Sequence, residues 1–255
     1  MGIKFSIIIA TYNAGKYLER AITSVIANKY NNIDLIIIDA NSKDETINII
    51  KKYEQYLSYW VSEKDEGIYD AWNKGVKKAA GDWIMFFGAD DILLPNALVD
   101  YDSFIRSLKE EVDYISSKKQ MIDKTNKLIR VIGSKWEWPF FLKEMMVAHP
   151  GSLHSKTLFE KYGLYDTSYK ITGDYELLLR PGNKLKAAFM DKITIMMSEG
   201  GASDSIMAVK EHYRAALKTG GQSRVSAQIN FIIVYLKFKL KKLLRYFGIN
   251  AYLKK

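Results

Sequence analysis

The sequence predicts an α/β fold, a mostly parallel central sheet flanked by helices, from three observations. Short β-branched runs alternate with amphipathic stretches through the first half of the chain. The runs are too short for helices, and several end in a polar cluster. Phe5–Ala10 (FSIIIA) is a continuous apolar run suited to a strand buried on both faces. Leu18, Ala21, Ile22, Val25 and Ile26 then recur at helical spacing. Ile33–Asp39 (IDLIIID) reads as a second strand, Asp44–Tyr56 as an amphipathic segment, and Tyr59–Ser62 as a short third strand. Ile68–Ala80 reads as a helix stopped by Gly81, and Asp82–Phe87 (DWIMFF) as a fourth strand. Sheets of this kind bind ligands beyond the carboxyl ends of their strands. In the second half, Val112–Ser117 and Leu128–Ile132 suit a strand pair, and Ser155–Tyr162 and Tyr175–Arg180 suit short helices. Lys135–Met146 is rich in aromatics, Trp138 among them, and reads either as an acceptor surface or as the packing of a lid.

Composition narrows the chemistry. With no cysteine in 255 residues, disulfides, thiolate metal sites and cysteine nucleophiles are excluded, and a reducing compartment fits. The apolar run near the N-terminus is shorter than a signal peptide requires and passes straight into a turn, so it reads as a strand. Net charge is +9, unevenly spread: residues 205–255 hold eleven Lys/Arg and one acid, Glu211, a balance of +10 that leaves −1 for the first 204. The body has no basic groove with interleaved aromatics, so nucleic acid is not the expected partner.

The polar clusters sit where a nucleotide would. Thr11, Tyr12 and Asn13 follow the first strand, and Asp39 ends the second, ahead of Ala40-Asn41-Ser42. A carboxylate there suits ribose hydroxyls or a base N–H; helix capping is the competing role for Asn13 and Asp44. Neither G-x-G-x-x-G nor G-x-x-x-x-G-K-[ST] is present, which argues against a dinucleotide site and a P-loop. The fourth strand runs into Gly88-Ala89-Asp90-Asp91. Adjacent carboxylates repel unless a cation or donors intervene, and Mg or Mn shared with a diphosphate meets that need.

Taken together, SIIIATYN, Asp39 followed by NSKDET, KDEGIYDAWNKGVKKAAGDW and FFGADDIL resemble the family 2 glycosyltransferases. The resemblance is close over about residues 4–95 and looser over 147–201. It implies the glycosyltransferase A (GT-A) fold, with a Rossmann-like nucleotide half and an acceptor half. It also implies inverting transfer from a nucleotide sugar, most often a UDP-sugar, with a divalent metal, Mn or Mg. By position it assigns Thr11, Asn13 and Asp39 to base and ribose, and Asp70 and Asn73 to a segment closing over the nucleotide. Asp90 matches the last aspartate of the family's D-x-D motif and Asp91 the acid after it, giving Asp90 and Asp91 as metal candidates; Gly88 replaces the first aspartate. Asp174, in ITGDYELLLR, matches the general base, with an N-cap as its competing role and Glu176 as a second candidate. His149 and His154 are candidates for the acceptor or donor-sugar pocket. Gly200-Gly201-Ala202-Ser203 resembles a Gly-rich segment closing over the diphosphate.

The resemblance is strongest to bacterial enzymes that extend surface polysaccharide repeat units on a polyprenyl-diphosphate carrier, which implies a lipid-linked acceptor. Gln228–Phe247 combines an apolar pattern with five Lys/Arg and no acid, as a basic amphipathic helix on an anionic membrane surface would. Packing on the body, or on a second copy in a homo-oligomer, is the competing reading. The expected organisation is a catalytic domain, 1–204, with nucleotide half 1–95 and acceptor half 96–204, and a basic helical tail, 205–255. The expected location is cytoplasmic, peripheral on the inner face of the cell membrane. A sugar nucleotidyltransferase and an inactive nucleotide-sugar-binding protein are the alternatives.

Overall fold

The structure, a computed structural model, describes residues 2–123, 125, 127–199 and 204–247. The first half alternates as its sequence predicts: β1 (Phe5–Thr11), α1 (Leu18–Ile26), β2 (Ile33–Asp39), α2 (Thr46–Lys52), β3 (Tyr59–Ser62), α3 (Ile68–Lys78) and β4 (Trp83–Gly88). Then come β5 (Ile92–Leu93), α4 (Ala97–Ser107), β6 (Tyr114–Ile122), β7 (Leu128–Ile132), α5 (Trp138–Phe141), β8 (Leu153–Ser155) and α6 (Lys156–Tyr162). The chain closes with α7 (Gly173–Leu179), β9 (Ala187–Ser198), α8 (Ile206–Lys218) and α9 (Arg224–Tyr246).

One sheet runs β3-β2-β1-β4-β8-β6-β9-β5, with β7 paired to β6. Its nucleotide half is parallel throughout, β1 lying between β2 and β4, and β2 beside β3. Beyond β4 it becomes mixed: β8 is antiparallel to β4 and β6, β6 is parallel to β9, and β5 and β7 are antiparallel edges. Leu128–Ile132 does pair with β6, but through Lys119–Ile122 rather than through the expected Val112–Ser117.

Both faces of β1 are buried, which explains its uninterrupted isoleucines. Ile7 and Ile9 pack with Leu18 and Ile22 of α1, while Ile8 packs in the opposite layer with Tyr69 and Trp72 of α3. Helix α3 lies so close to β1 that a Cβ on Gly75 would collide with Ile8. This helix bridges the molecule: Asn73 clamps the backbone of Tyr165, donating to its carbonyl and accepting from its N–H, both at 2.9 Å.

Helix α8 belongs to the packed body. It buries Ala208, Val209, Ala215 and Ala216, and its Glu211 caps the approach to α7. Helix α9 meets the body along one side, where Arg245 pairs with Asp204 and Glu199, and Lys241 with Asp204. No helix among the described residues is long and apolar enough to cross a membrane.

Candidate active site

At the carboxyl ends of β1 and β2, facing the N-terminus of α3, lies a cleft of about 480 Å³. Thr11, Tyr12, Asp65, Gly67 and Ile68 are among its walls. Gly67, with φ of 120°, makes the sharp entry into α3 that a residue with a Cβ would resist. The Thr11 hydroxyl is buried without a hydrogen-bond partner, so a polar ligand in this cleft would satisfy it. Tyr12, 65% exposed, presents a ring at the cleft wall.

The other two residues expected on base and ribose do not line the cleft; they brace the loops behind its wall. Asp39 is fully buried at the end of β2 and accepts from the N–H and hydroxyl of Ser42 and the hydroxyl of Ser62. Ser42 Oγ in turn accepts from Asn13 N–H at 2.8 Å, and Asn13 Oδ1 accepts from Lys43 N–H at 2.9 Å. Asn13 and Asn41 both take positive φ, 46° and 58°, a conformation asparagine tolerates better than most residues. Ala14 and Gly15 N–H donate to Thr46 and Asp44. Three consecutive N–H groups after β1 are therefore occupied by protein acceptors, and the loop has none of them left to cradle a triphosphate.

In the segment leading through α3, Asp70 accepts from Glu66 N–H and pairs with Lys74, which also pairs with Glu63 at 2.8 Å. Asn73 does not line the cleft, because both ends of its amide are engaged with Tyr165.

At the end of β4, Asp90 is exposed and Asp91 buried. Asp91 turns back to accept Gly88 N–H at 2.8 Å, and burial, reinforced by the neighbouring Asp90, pushes its carboxyl up to about 7. A Cβ on Gly88 would lie 2.9 Å from Asp91 Oδ2 and 3.1 Å from Asp90 Oδ1, so Asp91 occupies the space of a side chain at position 88. No three carboxylate or histidine ligands converge among the described residues. The arrangement fits a cation held by Asp90 with most of its ligands coming from a diphosphate and water, the manner usual for Mg.

Asp174 sits in the first turn of α7, inside the helix rather than at its cap, which is Thr172. Its side chain is 21% exposed. Oδ1 accepts Tyr175 N–H at 2.9 Å and lies 3.1 Å from Tyr69 Oη. The Tyr69 hydroxyl is also 2.7 Å from the Ile171 carbonyl and can donate to only one of the two at a time. Burial pushes the Asp174 carboxyl above the usual carboxylate range, against the Tyr175 N–H, Tyr69 and Lys119, which favour the ionised form. His149 Nδ1 is 3.9 Å from Asp174 Oδ2. Its ring stacks on Trp72, Nε2 is 3.3 Å from Tyr165 Oη, and burial lowers its pKa to about 3, so it is neutral near pH 7.

Three expected pocket residues lie elsewhere. His154, fully buried on β8 among Phe86, Tyr114 and Phe159, has no hydrogen-bond partner on either nitrogen. Glu176 is committed to Arg180 and the Thr219 hydroxyl. Trp138, on α5, packs against Trp136. The Gly200–Ser203 segment lies outside the described residues.

The structure adds Lys119, Tyr69 and Glu211 to the site. Lys119 is largely buried on β6; its ammonium donates to Met197 Sδ at 3.4 Å and is attracted by Asp91 and Asp174, while burial lowers its pKa. Strand alternation separates it from Lys118, which pairs with Asp191, but the run SSKKQ does not say which lysine turns inward. A positive charge near Asp174 favours its ionised form. Replacing Lys119 by Met is therefore expected to move the acid limb of the kcat/KM–pH profile to higher pH, and Lys119→Arg to restore it. An unmoved limb in Lys119→Met would remove the residue from the site's electrostatics.

A cleft beyond the carboxyl ends of parallel strands, joined through one helix to a partly buried carboxylate, has room for a ligand on one side and a proton acceptor on the other. The chain belongs to glycosyl transferase family 2, whose sequence model matches residues 6–149. A glycosyltransferase of Rickettsia typhi, itself uncharacterized, is 29% identical over 182 residues, covering 68% of this chain and 56% of the relative. This chain thus spans little more than half the length of that relative. A PGL/p-HBAD biosynthesis glycosyltransferase of Mycobacterium tuberculosis is 27% identical over 214 residues, 80% of each chain. Among solved structures, S. aureus TarS (residues 1–349) in complex with UDP-GlcNAc superposes with a TM-score of 0.68 at 16% identity, covering 90% of this chain and 70% of that one. The Pyrobaculum calidifontis mannosyltransferase PcManGT, in complex with GDP-Man and Mn2+, gives 0.63 at 15% identity, covering 92% and 70%. At such identities the likeness establishes the GT-A fold.

Proposed function

We propose that this glycosyltransferase moves a sugar, with inversion, from a nucleotide sugar to a hydroxyl of a lipid-linked glycan acceptor in surface polysaccharide synthesis. The observation that carries the reading is the span of α3. Its N-terminal turn walls the nucleotide cleft through Gly67 and Ile68, and the next residue, Tyr69, reaches Asp174. One helix thus touches both the cleft and Asp174, which supports reading them as donor site and base. Thr11, Asn13, Asp39 and Asp70 form or support the donor side in this reading, with UDP as the expected nucleotide.

Asp174 takes the proton of the acceptor hydroxyl as its oxygen bonds to the anomeric carbon. The bond from that carbon to the diphosphate breaks on the opposite face, and the nucleoside diphosphate leaves with the electron pair. Tyr69 and the Tyr175 N–H hold the carboxylate in place, and neutral His149 packs beside it. Asp90 would hold the Mn or Mg that comes with the donor, and that ion would supply Lewis-acid stabilisation of the departing diphosphate. Residues 1–95 would hold the donor and 96–204 the acceptor; within 205–255, α8 packs on the body and α9 would add the membrane contact.

The test is a panel of UDP-, GDP- and dTDP-sugars with Mn or Mg, measuring the phosphate product. Nucleoside diphosphate release supports the proposal. Pyrophosphate would make the chain a nucleotidyltransferase, and tight binding without turnover an inactive binding protein.

Helix α9 supports location at a cytoplasmic membrane face. It has 23 residues, about 34 Å of helix. Ile229, Ile232, Ile233, Leu236, Leu240 and Leu243 are 44–60% exposed. At 100° per residue they form one outward stripe, with Lys237 and Lys239 roughly 70–90° to either side. Lys241 and Arg245 fall on the opposite face, where their carboxylate partners lie. The full chain is expected to float with anionic vesicles, and an Ile233→Glu/Leu236→Glu variant to stay behind with nucleotide release intact. Wild type that ignores vesicles ends the idea, and a dimer dissolved by these substitutions would assign the stripe to a second copy.

A further inference from the structure

A groove of about 360 Å³ lies between α8, α9 and the segment following α5, outside the nucleotide cleft. Its walls combine two chemistries. Arg130, Lys143, Lys237 and Lys241 come from three separate parts of the chain, against the acids Glu144 and Asp204, an excess of two positive charges. Val209, Val234, Phe238 and Met145 make the remaining lining largely apolar. Lys241 is held by Asp204, whereas Lys143 and Lys237 have no ion pair among the described residues.

The inner wall gives an independent indication of a ligand. His212 lines the groove, its Nε2 is buried without a hydrogen-bond partner, and burial lowers its pKa to about 4. The same ring stacks on Tyr175, centroids 4.2 Å apart, and Tyr175 directly follows Asp174. One ring, His212, thus separates the groove from the helix that carries the proposed base. Asn230 of α9 donates to the Lys143 carbonyl at 2.6 Å, which fixes the two walls relative to each other.

We propose that this groove binds an isoprenoid diphosphate, the anionic head between Lys143 and Lys237 and the chain along Val234 and Phe238. The inference rests on the lipid-linked acceptor proposed above and assigns its carrier a place. A diphosphate suits cations that arrive from several elements, and an apolar chain suits a floor that a free phosphate would leave wet. The chain would run out beside the exposed stripe of α9, so one helix would serve both carrier and bilayer.

The test uses the full chain and farnesyl diphosphate in vesicle-free buffer, with binding read by calorimetry. Farnesyl diphosphate should bind more tightly than farnesol or inorganic diphosphate. A Lys143→Glu/Lys237→Glu variant should lose about tenfold or more in affinity. Lys237→Glu alone, at an exposed site, guards against misfolding and should show part of that loss. Nucleotide release from the donor should persist in both variants. Undiminished binding in the double variant overturns the proposal, as does inorganic diphosphate binding equally well. Phosphatidylglycerol vesicles binding where farnesyl diphosphate does not would reduce the groove to a phospholipid-facing surface and also overturn it. Donor turnover without a lipid acceptor tests the transferase reading separately, so either can fail alone.

Discussion

Asp174→Asn is expected to lower kcat by about 10²–10⁴-fold, the range general-base catalysis contributes, while donor affinity stays near that of the wild type. The amide keeps an oxygen to accept from Tyr175 N–H and Tyr69, so the fold of α7 should survive. It cannot take a proton from the acceptor. Steady-state kinetics with donor and acceptor varied separately check this, alongside nucleotide binding by calorimetry. Comparable loss of donor affinity would place Asp174 in the donor site instead, and a fully active variant would remove it as base. Because burial raises its carboxyl, activity should fall as pH drops through a value above that of an ordinary aspartate.

Glu211→Ala should be the most damaging substitution outside the cleft. One carboxylate accepts from Lys170, Ile171 and Thr172 N–H at 2.8, 2.9 and 3.0 Å, the three residues that lead into α7. Removing it leaves partly buried donors unpaired, at a cost of about 2–5 kcal/mol. It also loosens the segment whose Ile171 carbonyl shares the Tyr69 hydroxyl with Asp174. The thermal midpoint should fall, and kcat should fall more than donor KM rises. Glu211→Gln, which keeps one acceptor oxygen in place, should be intermediate in both. Unchanged stability and kcat in Glu211→Ala would show that the approach to α7 holds itself.

Much of this was legible in the sequence wherever one residue pattern met one physical demand. The isoleucine runs could only be strands buried on both faces, and β1, β2 and β4 lie where those runs do. Asp174 became the candidate base because a carboxylate opening a short helix resembles a family motif, and it does lie in the first turn of α7. Charge counting worked less well. It grouped Glu211 with a basic tail, yet α8 is packed into the body and its one acid holds the loop ahead of the candidate base. A lone acid among eleven cations was the available signal. His154 misled for a different reason: histidine suggests chemistry in one dimension, whereas an aromatic cage is a property of three. Asn73 has the right neighbours in sequence, but a helix turns it toward Tyr165. Lys119 was hidden because its partners come from β9, the end of β4 and α7, which only the sheet brings together.

The close seating of α3 on β1 has a consequence for how this chain can vary. Gly75 leaves no room for even a methyl group above Ile8, so the helix has one standing height over the sheet. That height sets where Gly67 stands relative to the ends of β1 and β2, and where Tyr69 stands relative to Asp174. A missing side chain thus acts as a gauge block, dimensioning two half-sites at once. New sugar or acceptor preferences should therefore arise in the loops around this helix, with the spacing itself left untouched.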